Sequence, residues 1–96
     1  MNFIFDQKKN ARLKLERGIS FEEIIFAIQN NSIIDIIEHP NTEKYPDQQL
    51  YILNYKEYIY VVPVEIHHDS IELKTIFRSR KFDKIYNVKR KEIYET

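Results

Sequence analysis

Ser20-Phe21-Glu22-Glu23-Ile24-Ile25-Phe26-Ala27-Ile28-Gln29-Asn30-Asn31 runs through Ser32 into Ile33-Ile34-Asp35-Ile36-Ile37-Glu38. Within that stretch the hydrophobic period changes from 3.6 to 2, which separates a helical half of the chain from a strand-forming half. Ser20 and Glu23 form a capping box, with Ile19 and Ile24 in the staple positions on either side. Phe21, Ile24, Ile25 and Ile28 supply the apolar stripe of a helix running to about Gln29, and Asn30-Asn31 ends it.

Toward the N-terminus, Asp6 is a good cap for a helix from about Gln7 to Arg17 that stops at Gly18. Ala11 and Leu15 share one face of it, with Lys8, Arg12 and Lys14 largely off that face. Phe3-Ile4-Phe5 reads as a short first strand. Toward the C-terminus, Ile33 to Glu38, Gln49 to Asn54, Tyr58 to Ile66 and Ile71 to Arg78 read as four strands rich in Ile, Val and Tyr. Their connections Tyr55-Lys56-Glu57 and His67-His68-Asp69-Ser70 are of hairpin length, so the last three strands form an antiparallel meander. Pro63 has no N–H for a ladder, which predicts a bulge or an unpaired edge position there. Beyond it, Phe82, Ile85, Tyr86, Lys89 and Ile93 recur at helical spacing. The expected architecture is α+β in a single domain spanning residues 1–96: two N-terminal helices on a four-stranded antiparallel sheet, then a C-terminal helix. One sheet face is expected to carry the helical hairpin and the other to be open to a ligand.

Composition narrows the chemistry. A chain of 96 residues holds one core, and without cysteine it has neither disulfides nor thiolate metal sites. Its one glycine excludes a Gly-rich phosphate loop, and no apolar run is long enough for a signal peptide or a membrane span, so a cytoplasmic protein is expected. The formal charge is zero but unevenly spread: residues 1–19 carry +3, residues 20–73 carry −8 and residues 74–96 carry +5. If folding joins the two ends, a neutral protein gains a basic face.

The clearest basic element is Leu73-Lys74-Thr75-Ile76-Phe77-Arg78-Ser79-Arg80-Lys81, where a β-type run ends in three cations around a serine. Guanidinium groups on a rigid strand end suit phosphate, since they pair with its oxygens bidentately. The same residues also read as a solvated edge that discourages strand pairing. The proline-stiffened loop His39-Pro40-Asn41-Thr42-Glu43-Lys44-Tyr45-Pro46-Asp47 offers His39, Lys44 and Tyr45 for proton exchange or phosphate binding. Tyr58 and Tyr60 alternate with Ile59 and Val61, so one set is expected in the core and the other at the surface, where tyrosines can stack on bases. His67-His68-Asp69 is expected to be an exposed hairpin tip rather than a metal site, since adjacent turn residues point apart.

Taken together, Phe5-Asp6, Lys9-Asn10, Arg17-Gly18-Ile19-Ser20-Phe21-Glu22-Glu23-Ile24, His39-Pro40-Asn41 with Lys44-Tyr45-Pro46, Tyr60-Val61-Val62-Pro63, and Leu73-Lys74-Thr75-Ile76 leading to Ser79-Arg80-Lys81 resemble the BrnT family of bacterial toxins. The resemblance covers Phe5 to about Tyr86. It departs at Glu16-Arg17-Gly18, where many members read Lys-His-Gly, and at Phe77-Arg78, where many have a small-residue strand end. It implies a RelE-like ribonuclease fold and toxicity through cleavage of RNA, either free or as ribosome-bound mRNA. It further implies neutralisation by a ribbon-helix-helix antitoxin from a neighbouring gene, with operator DNA bound only through the antitoxin and no membrane partner.

On that reading, cleavage uses the substrate's own 2′-hydroxyl as nucleophile and needs no metal or other cofactor. Arg80 and Lys81 are the expected stabilisers of phosphate charge. Arg78, Ser79, Lys14, Arg17, Lys44 and Lys84 are expected to bind RNA, Arg17 or Lys14 joining the cluster if the first helix crosses the strand end. His39 is the expected proton carrier because an unperturbed histidine side chain has a pKa near neutrality, with Tyr45 or Tyr86 behind it. The rival expectation is a non-catalytic binding module, or a degenerate toxin acting in an antitoxin-bound repressor.

Overall fold

A computed structural model describes residues 2–86 of the chain. The elements are β1 (Asn2–Ile4), α1 (Gln7–Arg17), α2 (Phe21–Gln29), β2 (Ile33–Glu38), β3 (Gln48–Tyr55), β4 (Tyr58–Ile66), β5 (Ser70–Leu73), β6 (Phe77–Arg78) and α3, described over residues 80–86. Lys89 and Ile93, expected on the last helix, lie outside the described residues.

The fold is α+β, but the sheet is six-stranded and mixed rather than four-stranded and antiparallel. Its order is β1-β5-β4-β3-β2, with β6 also on β4. β1 lies parallel to β5, Phe3 opposite Ile71, whereas β2, β3, β4 and β5 pair antiparallel in succession, the last three as their hairpin-length connections required. The expected last strand is broken in two. Leu73 pairs with Val64 and Phe77 with Val61, so Lys74-Thr75-Ile76 opposes only Val62-Pro63. This is a bulge opposite Pro63, in a central strand and not at an edge. A strand residue's N and C=O face the same neighbour, and the Pro63 carbonyl accepts from Lys74 N at 2.9 Å, so its missing donor falls where the ladder slips.

The helical starts follow the sequence closely. Asp6 accepts from Lys9 N at 3.0 Å, and Gly18 closes α1 at φ 66°, a left-handed conformation that its missing Cβ permits. Ser20 Oγ accepts from Glu23 N at 3.1 Å, while the Glu23 carboxylate reaches Tyr55 Oη and the Lys56 ammonium on the β3–β4 turn. The buried face of α1 differs from the expected one. Leu15 is 88% exposed, whereas Leu13 and Asn10 are buried. A polar anchor explains the rotation: Asn10 Oδ1 accepts from Phe21 N at 2.8 Å and its Nδ2 donates to Glu22, tying α1 to the first turn of α2.

Two clusters sandwich the sheet. On one face Leu13, Ile19, Phe21, Ile24 and Ala27 of the helical hairpin pack with Tyr51, Leu53, Val62, Val64, Leu73 and Ile76. On the other, Leu50, Ile52, Ile59 and Val61 are met by Ile37 and by Phe82 and Tyr86 of α3. The second face is therefore covered there and not left open, because Phe82 and Tyr86, one turn apart, give α3 an apolar stripe. No helix among the described residues is long and apolar enough to cross a membrane.

Candidate functional site

The bulge sets the geometry of the basic site. Forming it turns strand carbonyls out of the ladder, and buried carbonyls need donors. Two cations of α1 provide them. Lys9 Nζ donates to the Lys74 carbonyl at 2.8 Å, and Arg17 Nη1 donates to the Ile76 carbonyl. Among the described residues, α1 of the basic N-terminal segment is thereby tied to the start of the basic C-terminal one.

Arg78 stands beside this contact on the short strand that resumes after the bulge. It pairs with Tyr60 across the ladder, and its guanidinium carbon lies 3.9 Å from the centroid of the Tyr58 ring. A cation over an aromatic face is drawn to it by the ring quadrupole, which restrains the Arg78 side chain beside the cavity. Arg17, Ile19, Tyr58, Tyr60, Ile76, Phe77 and Arg78 line a cavity of about 500 Å³. A second cavity, about 320 Å³, is lined by Arg78, Ser79, Arg80 and Asp83. Arg78 is common to both. Of the alternating set, Tyr58 is exposed and Tyr60 is half-buried against the hairpin-side core, while Ile59 and Val61 are fully buried in the core of the opposite sheet face.

The remaining cations of the cluster are arranged by α3. Ser79 Oγ accepts from Phe82 N at 3.4 Å and the Ser79 carbonyl from Asp83 N at 2.8 Å, so Ser79 caps that helix. Arg80, Lys81 and Lys84 on it are exposed. Lys14 is turned elsewhere, its ammonium 3.4 Å from Glu22. Asn10 first, and Lys14 after it, hold the Glu22 carboxyl below its ordinary value.

His39, Lys44 and Tyr45 are gathered at the other end of the sheet. The His39 and Tyr45 rings lie 4.6 Å apart, Lys44 Nζ sits 5.3 Å from the Tyr45 centroid, and His39 Nδ1 accepts from Asn41 N at 3.0 Å. Their loop abuts the far end of β4, where Ile66 N donates to the Asp47 carbonyl at 3.0 Å. Tyr60 lies six strand steps away, about 20 Å at the rise of a β-strand. The structure thus does not bring the His39 loop to the arginine cluster. Tyr86 is also elsewhere: its hydroxyl donates to Asp35 on edge strand β2 at 2.7 Å, and burial followed by the Asp35 charge raises its pKa.

Tyr58, Tyr60 and Asp83 join the site without having been assigned to it from sequence. The signal for the tyrosines was their alternation with Ile59 and Val61. For Asp83 it was the i+4 spacing from Ser79, meaningful only once a helix begins there. Compared with protein-family models, curated proteins and solved structures, the chain matches none.

Proposed function

We propose that the chain is the toxin of a type II toxin–antitoxin pair, a metal-independent endoribonuclease of RelE-like type neutralised by an antitoxin encoded beside it. The observation that carries the reading is the convergence of Arg17 and Arg78 on a tyrosine-walled cavity that opens beside Arg80. Such a surface offers what single-stranded RNA presents: aromatic faces for a base and fixed guanidinium groups for the phosphate next to it. The motif resemblance to BrnT toxins supports the same reading.

In the mechanism, Tyr58, Tyr60 and the Arg78 plane hold a splayed base, while Arg17, Arg78 and Arg80 surround the adjacent phosphate. The 2′-oxygen attacks phosphorus and the 5′-oxygen departs, leaving a 2′,3′-cyclic phosphate and a 5′-hydroxyl. Charge grows on the non-bridging oxygens as the phosphorane forms, and guanidinium groups aimed there stabilise it by a few kcal/mol each. Asp83, Tyr58 and Tyr60 are the lining residues able to carry a proton. His39 and Tyr45, at the far end of the sheet, have no part in this step.

A second reading is favoured by one observation: none of the residues lining the two cavities is a histidine. A guanidinium–tyrosine site can bind RNA without cutting it, as in a binding module or a degenerate toxin. Growth on induced expression separates the readings. The toxin arrests growth, recovers with its neighbouring gene co-expressed, and loses toxicity in Arg78→Ala and Arg80→Ala while keeping it in His39→Ala. Purified protein cleaves RNA in excess chelator. Arrest undiminished by both arginine variants would exclude the cluster as the catalytic site, and harmless expression with RNA binding intact would select the binding module.

A further inference from the structure

The far end of β4 carries a second cluster that the ribonuclease reading does not use. Glu65 and Glu72 are direct cross-strand partners in the β4–β5 ladder, on the sheet face opposite the helical hairpin. Like charges in that relation are destabilising, so the pair calls for a cation between or beside its members. His67, two residues beyond Glu65, turns back over them. Its Nε2 lies 3.3 Å from Glu65 Oε2 and 3.0 Å from Glu72 Oε1.

We propose that Glu65, His67 and Glu72 form a binding site for a divalent transition-metal ion of the zinc type. The three donor atoms lie within 4.8 Å of one another. Ligands about 2.1 Å from an ion are separated by roughly 3.4 Å in a tetrahedral shell and roughly 3.0 Å in an octahedral one, the range spanned by the two imidazole–carboxylate distances. Imidazole nitrogen with two carboxylate oxygens suits zinc and its neighbours better than magnesium or calcium, which take oxygen alone.

The backbone holds the donors in place. Two come from paired strands, and the third from a turn closed by His67 N donating to the Ser70 carbonyl at 2.9 Å. Lys74 Nζ engages Glu72 Oε2 at 3.1 Å, which turns Oε1 toward His67 and favours monodentate ligation. The side chains of His67, Glu65 and Glu72 are 38%, 33% and 29% exposed, so an ion can enter and water can complete its shell. From sequence, His67 was weighed only against its turn neighbours His68 and Asp69, whereas both partners are glutamates, one at i−2 and one across the hairpin.

The test uses the purified full chain, stripped with chelator and titrated with Zn2+ against a chromophoric competitor, with Co2+ absorption as a second readout. One equivalent per chain is expected, with a Zn2+-dependent rise in Tm. His67→Ala and the shape-conserving Glu72→Gln should each weaken binding at least about tenfold, with folding verified by circular dichroism. His68→Ala and His39→Ala should bind as the wild type does. No saturable binding, or equal loss in His68→Ala, would overturn the site. RNA cleavage enters neither readout, so the outcome is independent of the ribonuclease reading.

Discussion

Replacing Asn10 by alanine should destabilise the helical hairpin at its hinge, and the size of the effect can be worked from its contacts. Asn10 is 2% exposed, and its Oδ1 is the acceptor for Phe21 N, a first-turn donor with no partner inside its own helix. Leaving that buried N–H unsatisfied costs about 1–3 kcal/mol. The lost bond to Glu22 adds less than about 1 kcal/mol, since that carboxylate is on the surface. Alanine recovers about 0.5 kcal/mol through helix propensity. The net is a loss of about 2 kcal/mol, or roughly 8–16 °C in Tm for a domain of this size. Urea and thermal unfolding followed by circular dichroism measure it.

A pH series gives the same variant a second signature. Glu22 has its folded pKa lowered, chiefly by Asn10, so its stabilisation is present above the ordinary value of 4.5 and disappears as pH falls through the lowered one. Without the Asn10 amide the stability of Asn10→Ala should fall less steeply below pH 4.5 than that of the wild type. Asn10→Asp should behave oppositely, being destabilised at neutral pH by facing Glu22 and partly relieved on acidification. An Asn10→Ala variant within about 0.5 kcal/mol of wild type would refute the reasoning, because it would mean that water or a rearranged cap serves Phe21 N equally well.

Two further outcomes test how the sheet holds the site. Lys56 and Glu57 both adopt positive φ, 51° and 68°, in the two-residue turn that leads into Tyr58, so Lys56→Asn with Glu57→Gly should raise stability by about 1–2 kcal/mol in urea unfolding. Unchanged or lower stability would show that the Lys56 contacts to Glu23 and Tyr55 outweigh the turn strain. Tyr86→Phe removes the 2.7 Å hydrogen bond to Asp35 and should cost about 1–2 kcal/mol with little change in RNA binding, measured by unfolding and fluorescence anisotropy. A large loss of RNA affinity would mean that the docking of α3 positions Arg80.

Most of the elements were legible because local chemistry and tertiary environment agree: Asp6, Gly18 and Ser20 act at the helix ends through the caps their side chains or backbone allow. The α1 face was misread because Ala11 and Leu15 look like a core stripe, while the interaction that orients the helix comes from a polar residue whose partners lie eleven and twelve positions away. The parallel pairing of β1 was invisible for a related reason. Three residues carry no periodicity, and their partner is set by where the helical hairpin returns the chain. Pro63 announced a bulge, yet nothing local says that a central strand can hold one when the opposing strand absorbs the slip.

That slip connects the sequence to the site. A continuous last strand would carry Lys74 to Arg78 in unbroken alternation along β4, with its carbonyls satisfied in the ladder and no reason for α1 to offer cations there. The missing N–H at Pro63 removes that option. Three residues then face two, the carbonyls of Lys74 and Ile76 turn to Lys9 and Arg17, and Arg78 emerges one position out of phase, over Tyr58. Arg17 and Arg78, 61 positions apart in sequence, line one cavity beside the point where the ladder slips opposite Pro63. In the proposed toxin they act as a matched pair: a guanidinium at the end of α1 braced on the bulge, and another on the resumed strand braced on a tyrosine.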